Sequence, residues 1–238
     1  MMQHLHVEHI NKTFTDYDHA AVRKGVLRSL IYFDIFNYPL TISEIVQYSP
    51  VKLNGLSSVE NILDELVESF LVFRFGEFYS LKNDPINIER RIKGNKYAAD
   101  ILHKALMRSQ LIHRFPFVRS VNISGSLSKN YFDETTDFDF FVIAKENRIW
   151  LCRLFLTLYK KIFLLNSRKY FCINYYLDTE DMLIPDKNIF SATEIVTLKN
   201  QTGEDVFEKF IEANDWIQEY FPNTSIEYNY LKKDKNGW

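Results

Sequence analysis

The sequence predicts an α+β protein in two parts: a small helical unit that ends in a hairpin, and a mixed β-sheet domain flanked by helices. Apolar residues recur at helical spacing through most of the first 70 residues, whereas strand-like segments alternate with helices after residue 115. Between these regions, residues 82–87 have the composition of a linker and contain Pro85. We therefore expect domains at residues 1–85 and 86–238.

The overall composition excludes several classes of protein. Of the 238 residues, 46% are apolar and 25% charged, which is close to globular usage and unlike disordered, collagen-like or disulfide-scaffold proteins. The two cysteines, Cys152 and Cys172, lie in apolar surroundings without CxxC spacing, so no zinc site or disulfide framework is expected. The first twenty residues lack an apolar signal segment, and residues 149–165 are too short and too charged to span a bilayer. We expect a cytoplasmic protein without a membrane partner.

The formal net charge of −2 hides an uneven distribution of charge along the chain. Residues 1–90 carry 8 basic and 12 acidic side chains, residues 91–136 carry 8 and 3, and residues 137–238 carry 13 and 16. The basic middle segment includes Arg119, which is our candidate for contacting an anionic substrate. Alternatively, these cations form the solvated face of one long helix.

The first 85 residues have the element order of a winged helix-turn-helix. Apolar spacing predicts a helix over residues 20–36, and Thr41 with Glu44 has the capping-box spacing that begins a second helix. A third helix follows, beginning at Ser57 or Ser58. Residues 71–81 then alternate around Gly76, which predicts a hairpin.

The third helix argues against DNA binding by this first unit. Affinity for DNA comes largely from Lys and Arg contacts to phosphates. Between residues 57 and 70 the helix has no Lys or Arg and carries four acids, Glu60, Asp64, Glu65 and Glu68. We therefore favour a structural role or contact with a protein partner over the alternative of a winged-helix transcription regulator.

The second part alternates helices and strands. Residues 88–111 predict a long basic helix, residues 148–165 an apolar helix, and residues 203–221 a C-terminal helix with one apolar face. Strands are predicted around residues 121–123, 137–143 and 170–177.

The informative stretch of this part is residues 121–144, VNISGSLSKNYFDETTDFDFFVIA. Residues two apart in a strand share a face, so Asp137 and Asp139 project together while Phe138 and Phe140 enter the core. Adjacent carboxylates repel each other and cost several kcal/mol each when taken out of water. A hard divalent cation such as Mg²⁺ relieves that cost.

This stretch resembles the signature of the DNA polymerase β-like nucleotidyltransferase superfamily. That signature is a hydrophobic residue, Gly, then Gly or Ser, and, about ten residues later, Asp-hydrophobic-Asp/Glu-hydrophobic. Here the two parts are Ser124-Gly125-Ser126 and Asp137-Phe138-Asp139-Phe140. The resemblance covers about residues 115–200.

The resemblance implies transfer of a nucleoside monophosphate from an NTP to an acceptor, with Mg²⁺ (or Mn²⁺) as cofactor. Two metal ions would be held by Asp137, Asp139 and a third carboxylate on a neighbouring strand. Gly125 and Ser126 would bind the phosphates of the nucleotide. Lys129 is a further candidate phosphate contact, or else an ordinary surface lysine. Neither the acceptor nor the NTP can be named from the sequence.

The third carboxylate is where the sequence departs from this pattern. It is expected on the strand over residues 170–177, where the central position holds Asn174. Asp178, at the end of that strand, is the only acid there and is our candidate third ligand. If Asn174 is the structural equivalent, the alternative is a catalytically degenerate protein that binds nucleotide or acts as an adaptor.

Overall fold

The computed structural model describes residues 19–53, 56–166 and 169–224. They form mixed α and β structure with two small sheets, so the α+β prediction is confirmed. The described chain divides into two compact units, residues 19–91 with Gln218–Thr224 and residues 92–217. Within the described residues, no helix combines the length and apolar character needed to cross a membrane.

The first unit contains the predicted three helices followed by a hairpin, together with a short strand that the sequence pattern did not predict. Strand β1 adds to the hairpin, so the three strands pair antiparallel in the order β1-β3-β2. The predicted capping box is present: the Thr41 backbone N–H donates to the Glu44 carboxylate at 2.9 Å. The elements are α1 (residues 19–34), β1 (Leu40–Thr41), α2 (Ile42–Gln47), α3 (Leu56–Glu68), β2 (Phe73–Phe75) and β3 (Phe78–Ser80).

Residues 218–224 belong to the first unit although they follow the second unit in sequence. The Asn223 side-chain amide donates to the backbone carbonyls of Val51 at 2.7 Å and Ser49 at 3.2 Å, and its oxygen accepts from the Leu53 backbone N–H at 2.8 Å. Phe221 is buried against Tyr48. This segment therefore completes the core of the first unit.

The predicted linker at residues 82–87 is shorter than expected, because helix α4 (Pro85–His113) begins inside it. Proline suits the first turn of a helix, where a backbone N–H has no helical partner. The Asp84 carboxylate accepts from the Ile86 backbone N–H at 3.0 Å, as a capping side chain does. Pro85 therefore begins a helix and does not mark a loop.

The second unit is a four-stranded sheet in the order β6-β5-β4-β7. Strand β4 pairs antiparallel with β5 and β7, and β5 pairs parallel with β6. After α4, the elements are β4 (Val118–Ser124), α5 (Gly125–Ser128), β5 (Asp139–Ala144), α6 (Ile149–Phe163), β6 (Cys172–Asp178), α7 (Ile189–Thr197), β7 (Lys199–Thr202), α8 (Glu204–Ala213) and α9 (Ile217–Tyr220).

The main core of this unit lies on one face of the sheet. Phe138 and Phe140 are buried there, as the alternation of β5 predicts, with Ile123 of β4 and Leu156 of α6. On the opposite face, Phe141 packs against Phe210 of α8 with ring centroids 5.1 Å apart. Asp139, the first residue of β5, and Asp137, two residues before it, are half-buried at one end of the sheet.

Two features of the C-terminal third differ from the sequence prediction. Strand β7 (KNQT) is absent from the prediction, because its four residues show no apolar alternation and it is recognisable only by its pairing with β4. The helix predicted over residues 203–221 is two helices, α8 and α9, separated by a turn at Asn214. The Asn214 side chain accepts from the Ile184 backbone N–H and donates to the Met182 carbonyl, both at 2.8 Å, and these bonds hold the turn.

Candidate functional site

Strand register brings three of the sequence motifs to one end of the sheet. Ser124 of β4 pairs with Asp139 of β5, and Asp139 pairs with Cys172 of β6. Gly125 follows Ser124 directly, and Asp137 lies two residues before Asp139. Side chains paired directly across strands share a face of the sheet. We call this group, Ser124, Gly125, Asp137, Asp139 and Asn174, the carboxylate site.

Asp139 is the centre of the carboxylate site. Burial raises the pKa of its carboxyl, and the nearby Asp137 and Glu194 carboxylates raise it further. Hydrogen bonds from the side chains of Asn174 and Cys172 act in the opposite direction. Neither Asp137 nor Asp139 forms an ion pair with a Lys or Arg in the described part of the chain. No basic side chain of the described residues therefore neutralises this pair.

Gly125 is required by the position of Asp139. Its φ of +63° lies in the left-handed region, and a Cβ at this position would overlap the Asp139 carboxylate. The backbone after β4 therefore turns directly against the carboxylate. Any side chain at residue 125 would fill the space between them.

Ser124 contributes a buried hydroxyl with unmet hydrogen-bonding capacity. The residue is 8% exposed, and its Oγ has no hydrogen-bond partner among the described residues. A buried polar atom without a partner costs free energy, so such an atom in a folded protein calls for an explanation. Its pairing opposite Asp139 places it at the carboxylate site.

Lys129 borders the turn, but another carboxylate neutralises it. Its Nζ forms an ion pair with the Glu194 carboxylate at 2.7 Å and donates to the Gly125 carbonyl at 3.2 Å. Glu194 lies on α7, which packs on α5 through a contact between Ser128 and Thr197 hydroxyls at 3.4 Å. Ser126 is half-buried in the same turn. A phosphate bound here would compete with Glu194 for Lys129.

The structure does not bring Asp178 or Arg119 to the carboxylate site, and the expectations for both are corrected. Asp178 pairs with Ala144, which pairs with Val118 at the beginning of β4. This is the opposite end of the sheet, about 16 Å from Asp139 at ~3.3 Å per strand residue. The Asp178 carboxylate accepts from the Glu180 and Asp181 backbone N–H groups at 3.0 and 3.2 Å, which is a turn-stabilising role. Arg119, beside Val118, is exposed at that same end.

Asn174 is the residue of β6 that lies where a third carboxylate was expected. The register of β5 and β6 shifts between Phe140 and Phe141, so that Asn174 has no paired residue opposite it. Its side-chain oxygen accepts from the Cys172 thiol at 3.1 Å, and its amide bonds to the Asp139 carboxylate. The residue that contacts the carboxylates from β6 is therefore an amide and not an acid.

Two residues near the site were missed by sequence reasoning. Glu194 carries no motif and is brought close by the packing of α7. Lys199 of β7 pairs with Ile123, and its Nζ donates to the Asn130 side chain at 2.5 Å and to the Leu127 carbonyl at 3.3 Å. Burial lowers the pKa of Lys199 to about 8. No local pattern of the sequence distinguishes either residue.

The residues present fit a divalent cation. Two carboxylates without an ion pair and a buried serine hydroxyl without a hydrogen-bond partner, both judged over the described residues, lie beside a turn that only glycine permits. Within the described residues, no group of three or more His, Cys, Asp or Glu side chains could hold a metal ion. Mg²⁺ is commonly bound by one or two carboxylates together with substrate phosphates, so the two acids suffice for that mode.

Comparisons with protein-family models, with curated proteins and with solved structures find no match to this chain.

Proposed function

We propose that the second unit is a nucleotidyltransferase-like domain that binds an NTP together with Mg²⁺ and transfers a nucleoside monophosphate to an acceptor. The observation that carries this proposal is the half-buried Asp137–Asp139 pair, which forms no ion pair with Lys or Arg in the described chain and whose Asp139 carboxylate lies directly against Gly125. The motif order of strand, Gly-Ser turn and Asp-Phe-Asp strand supports it as well.

Asp137 and Asp139 of the carboxylate site, and Ser126 and Lys129 of the adjoining turn, have roles in this proposal. Asp137 and Asp139 would hold the cation, which when bound offsets negative charge on the phosphates. Ser126 and Lys129 would contact phosphate oxygens, with Lys129 exchanging Glu194 for phosphate. In the transfer, an acceptor oxygen forms a bond to the α-phosphorus, and its proton passes to water. The bond to the pyrophosphate oxygen breaks, and pyrophosphate leaves with the electron pair.

A second candidate function is nucleotide binding without turnover. Asn174 favours it, because an amide cannot accept the proton of an acceptor hydroxyl as a third carboxylate would. In this case the domain would respond to nucleotide as a sensor or adaptor, and the first unit would contact another protein.

For the first unit, we propose a winged helix-turn-helix-like domain with a structural or protein-contact role. Glu60, Asp64, Glu65 and Glu68 are all exposed on α3, the helix that would have to approach DNA. Asp64 and Glu65 pair with Arg74 and Arg23 at 4.0 and 3.9 Å, so this surface also engages the nearest cations. We expect no retention on duplex DNA at low salt; salt-sensitive retention would support the regulator hypothesis instead.

The binding proposal is tested by thermal unfolding with each of the four NTPs and Mg²⁺ or Mn²⁺. A nucleotide at about 100 times its Kd stabilises the folded chain by about 2.7 kcal/mol, which raises Tm measurably. The double variant Asp137→Asn/Asp139→Asn is expected to lose that shift. The control is Asp178→Asn, an acid of the same sheet at its other end, which should retain the shift. Equal shifts for wild type and the double variant would refute the proposed site.

Turnover is tested separately, by pyrophosphate release from the nucleotide that gives the largest shift, with 5′-AMP and a ten-nucleotide single strand supplied as acceptor hydroxyls, because release requires an acceptor. Release that is lost in Asp139→Asn supports transfer. Binding without release supports the second candidate, and the variant Asn174→Asp then shows whether the missing carboxylate is the reason. If Asn174→Asp gains release, the amide is what prevents turnover.

A further inference from the structure

A groove of about 450 Å³ lies between helix α6 and the edge strand β6. This volume is within the range that holds small ligands in proteins. Its walls combine aromatic rings with cations, and the residues that matter here are Trp150, Arg153, Thr157, Lys160, Asn174 and Tyr175.

The charge of the groove has one sign. Its eleven lining residues include two cations, Arg153 and Lys160, and no Asp or Glu. Neither cation forms an ion pair within residues 19–53, 56–166 and 169–224. Seven positions separate them on α6, about 10 Å along the helix axis, and Thr157 lies between them. These three side chains therefore offer a row of hydrogen-bond donors to an anion.

One exposed aromatic ring provides flat apolar surface beside this row. Trp150 is 79% exposed, which leaves most of a large indole outside the core. Tyr175 also lines the groove, but its ring stacks on Phe141 at 5.3 Å, on the face of the sheet opposite α6. The ring that lies beside the cations is therefore Trp150. Aromatic side chains beside cations are the combination that binds nucleobases with their phosphates.

The groove reaches the carboxylate site through Asn174. This residue lines the groove, and its side chain also bonds to the Asp139 carboxylate. A ligand in the groove would therefore reach Asn174, the residue of β6 that contacts Asp139. This contact is what connects the groove to the proposed nucleotide site.

We propose that the groove between α6 and β6 binds the acceptor, and that the acceptor presents a nucleoside phosphate, with its base against Trp150 and its phosphate on Arg153 and Lys160. That this ligand is the acceptor rests on the proposed function, whereas binding of a nucleoside phosphate in the groove does not depend on that function. A free nucleoside monophosphate and the end of a single strand offer the same chemistry.

The test measures binding without NTP or metal, using 5′-AMP by calorimetry and a fluorescein-labelled ten-nucleotide single strand by anisotropy. The variant Arg153→Ala/Lys160→Ala is expected to weaken binding at least about tenfold, because it removes two charge-assisted contacts. Trp150→Ala is expected to weaken binding too, through lost stacking. Lys161→Ala is the matched control, since Lys161 is on the same helix but not among the lining residues.

Trp150 and Arg153 are exposed, so their truncation leaves the core intact, and Arg153→Ala alone serves if the double variant unfolds. Loss with the groove variants and none with Lys161→Ala supports the proposal. Tight AMP binding indicates a free nucleotide, and binding of the strand alone indicates a polynucleotide end. The proposal is overturned if neither probe binds. It is also overturned if inorganic phosphate displaces the probes as well as unlabelled AMP does and Trp150→Ala leaves their binding unchanged.

The Asp137→Asn/Asp139→Asn variant separates the two proposals. It should bind both probes like wild type, because the groove does not need the carboxylates. Probe binding that depends on those acids would place the probe at the carboxylate site and overturn the groove. If the probes bind in the groove but no NTP raises Tm, the groove proposal holds and only the proposed function is refuted.

Discussion

Two clusters of polar side chains lie on the same face of the central strands, and they differ in whether their hydrogen bonds are complete. We call Ser120, Asn122 and Asn200 the amide network. Asn200 donates to the Asn122 side-chain oxygen at 2.8 Å and to the Ser120 hydroxyl at 3.1 Å, and Ser120 donates to the Thr202 carbonyl at 2.9 Å. One step further along β4, Ser124 has no such partner in the described chain.

The difference separates a structural cluster from the one on which the proposed function rests. In the amide network, every buried side chain has a partner, and strands β4 and β7 are joined by side-chain bonds as well as backbone bonds. At the carboxylate site, neither acid has a basic partner and the Ser124 hydroxyl has no hydrogen-bond partner within the described residues. The first cluster stabilises the fold by itself, whereas the second is the one that we propose a ligand completes.

The largest expected effect comes from breaking the amide network. Asn200→Ala removes the bonds to Ser120 and Asn122 and leaves the buried Asn122 oxygen without a donor, which should lower the free energy of unfolding by about 3 kcal/mol. Urea denaturation measures this. The neighbouring Gln201→Ala, which removes one bond of a half-buried side chain, should cost about 1 kcal/mol or less. If nucleotide still raises the Tm of Asn200→Ala, the amide network is not part of the proposed nucleotide site.

Next in size is the effect of a side chain at the turn. Gly125→Ala adds a Cβ at positive φ that also overlaps Asp139, and it should cost about 2 kcal/mol and abolish the nucleotide shift. Gly76→Ala is the matched control: its φ of +62° is the same, and nothing lies within 4 Å of the added Cβ. The control should cost about 1 kcal/mol. Equal costs would contradict the close approach of Gly125 to the carboxylate.

Two serines of β4 provide a direct test of the comparison. Ser120→Ala removes a hydroxyl that donates to Thr202 and accepts from Asn200, and it should destabilise the fold by about 1.5 kcal/mol. Ser124→Ala removes a hydroxyl without a partner, and it should leave stability unchanged within about 0.5 kcal/mol. Chemical denaturation of both variants decides this. A cost for Ser124→Ala as large as that for Ser120→Ala would show that Ser124 is structural.

The smallest effect is the pH dependence caused by Asp139. Burial raises the pKa of its carboxyl in the folded chain, whereas an unfolded Asp titrates near about 3.9. Between those two values the folded state binds more protons, so its stability falls as pH rises through that window. Asp139→Asn should remove this fall and be slightly more stable than wild type at neutral pH, by less than about 1 kcal/mol. Denaturation curves from pH 4 to pH 7 measure it, and a variant less stable than wild type throughout would contradict the assignment.

Local features of the sequence predicted the parts of the site that depend on local geometry. Gly125 begins a short helix directly after β4, as the motif requires, and Asp139 is the first residue of β5, as the alternation predicts. Asp137 lies two residues before that strand begins. The third position depended on the register of β5 against β6. The shift at Asn174, which no pattern in the strand itself reveals, determines which residues lie opposite each other. Asp178 has the residue type expected of the third ligand but lies at the wrong end of the sheet.

The fold was predictable to a similar extent. The three helices and hairpin of the first unit follow from apolar spacing and the Thr41 capping box. Strand β7 and the contact of Glu194 with Lys129 depend on pairings between residues some 65 to 80 positions apart, so no window of sequence contains them. The basic charge of residues 91–136 predicted that Arg119 would contact the nucleotide. That prediction is wrong, because Arg119 lies far from the carboxylate site along β4.

The place of residues 218–224 in the first unit has a consequence for synthesis on the ribosome. Residues 19–91 emerge first, yet the Asn223 amide that bonds to Ser49 and Val51, and the Phe221 ring against Tyr48, are made more than a hundred residues later. Part of the core of the first unit therefore stays uncovered while the whole sheet domain is translated. Limited proteolysis of ribosome-bound chains should cleave the first unit faster in chains truncated at residue 217 than in chains that extend to residue 224.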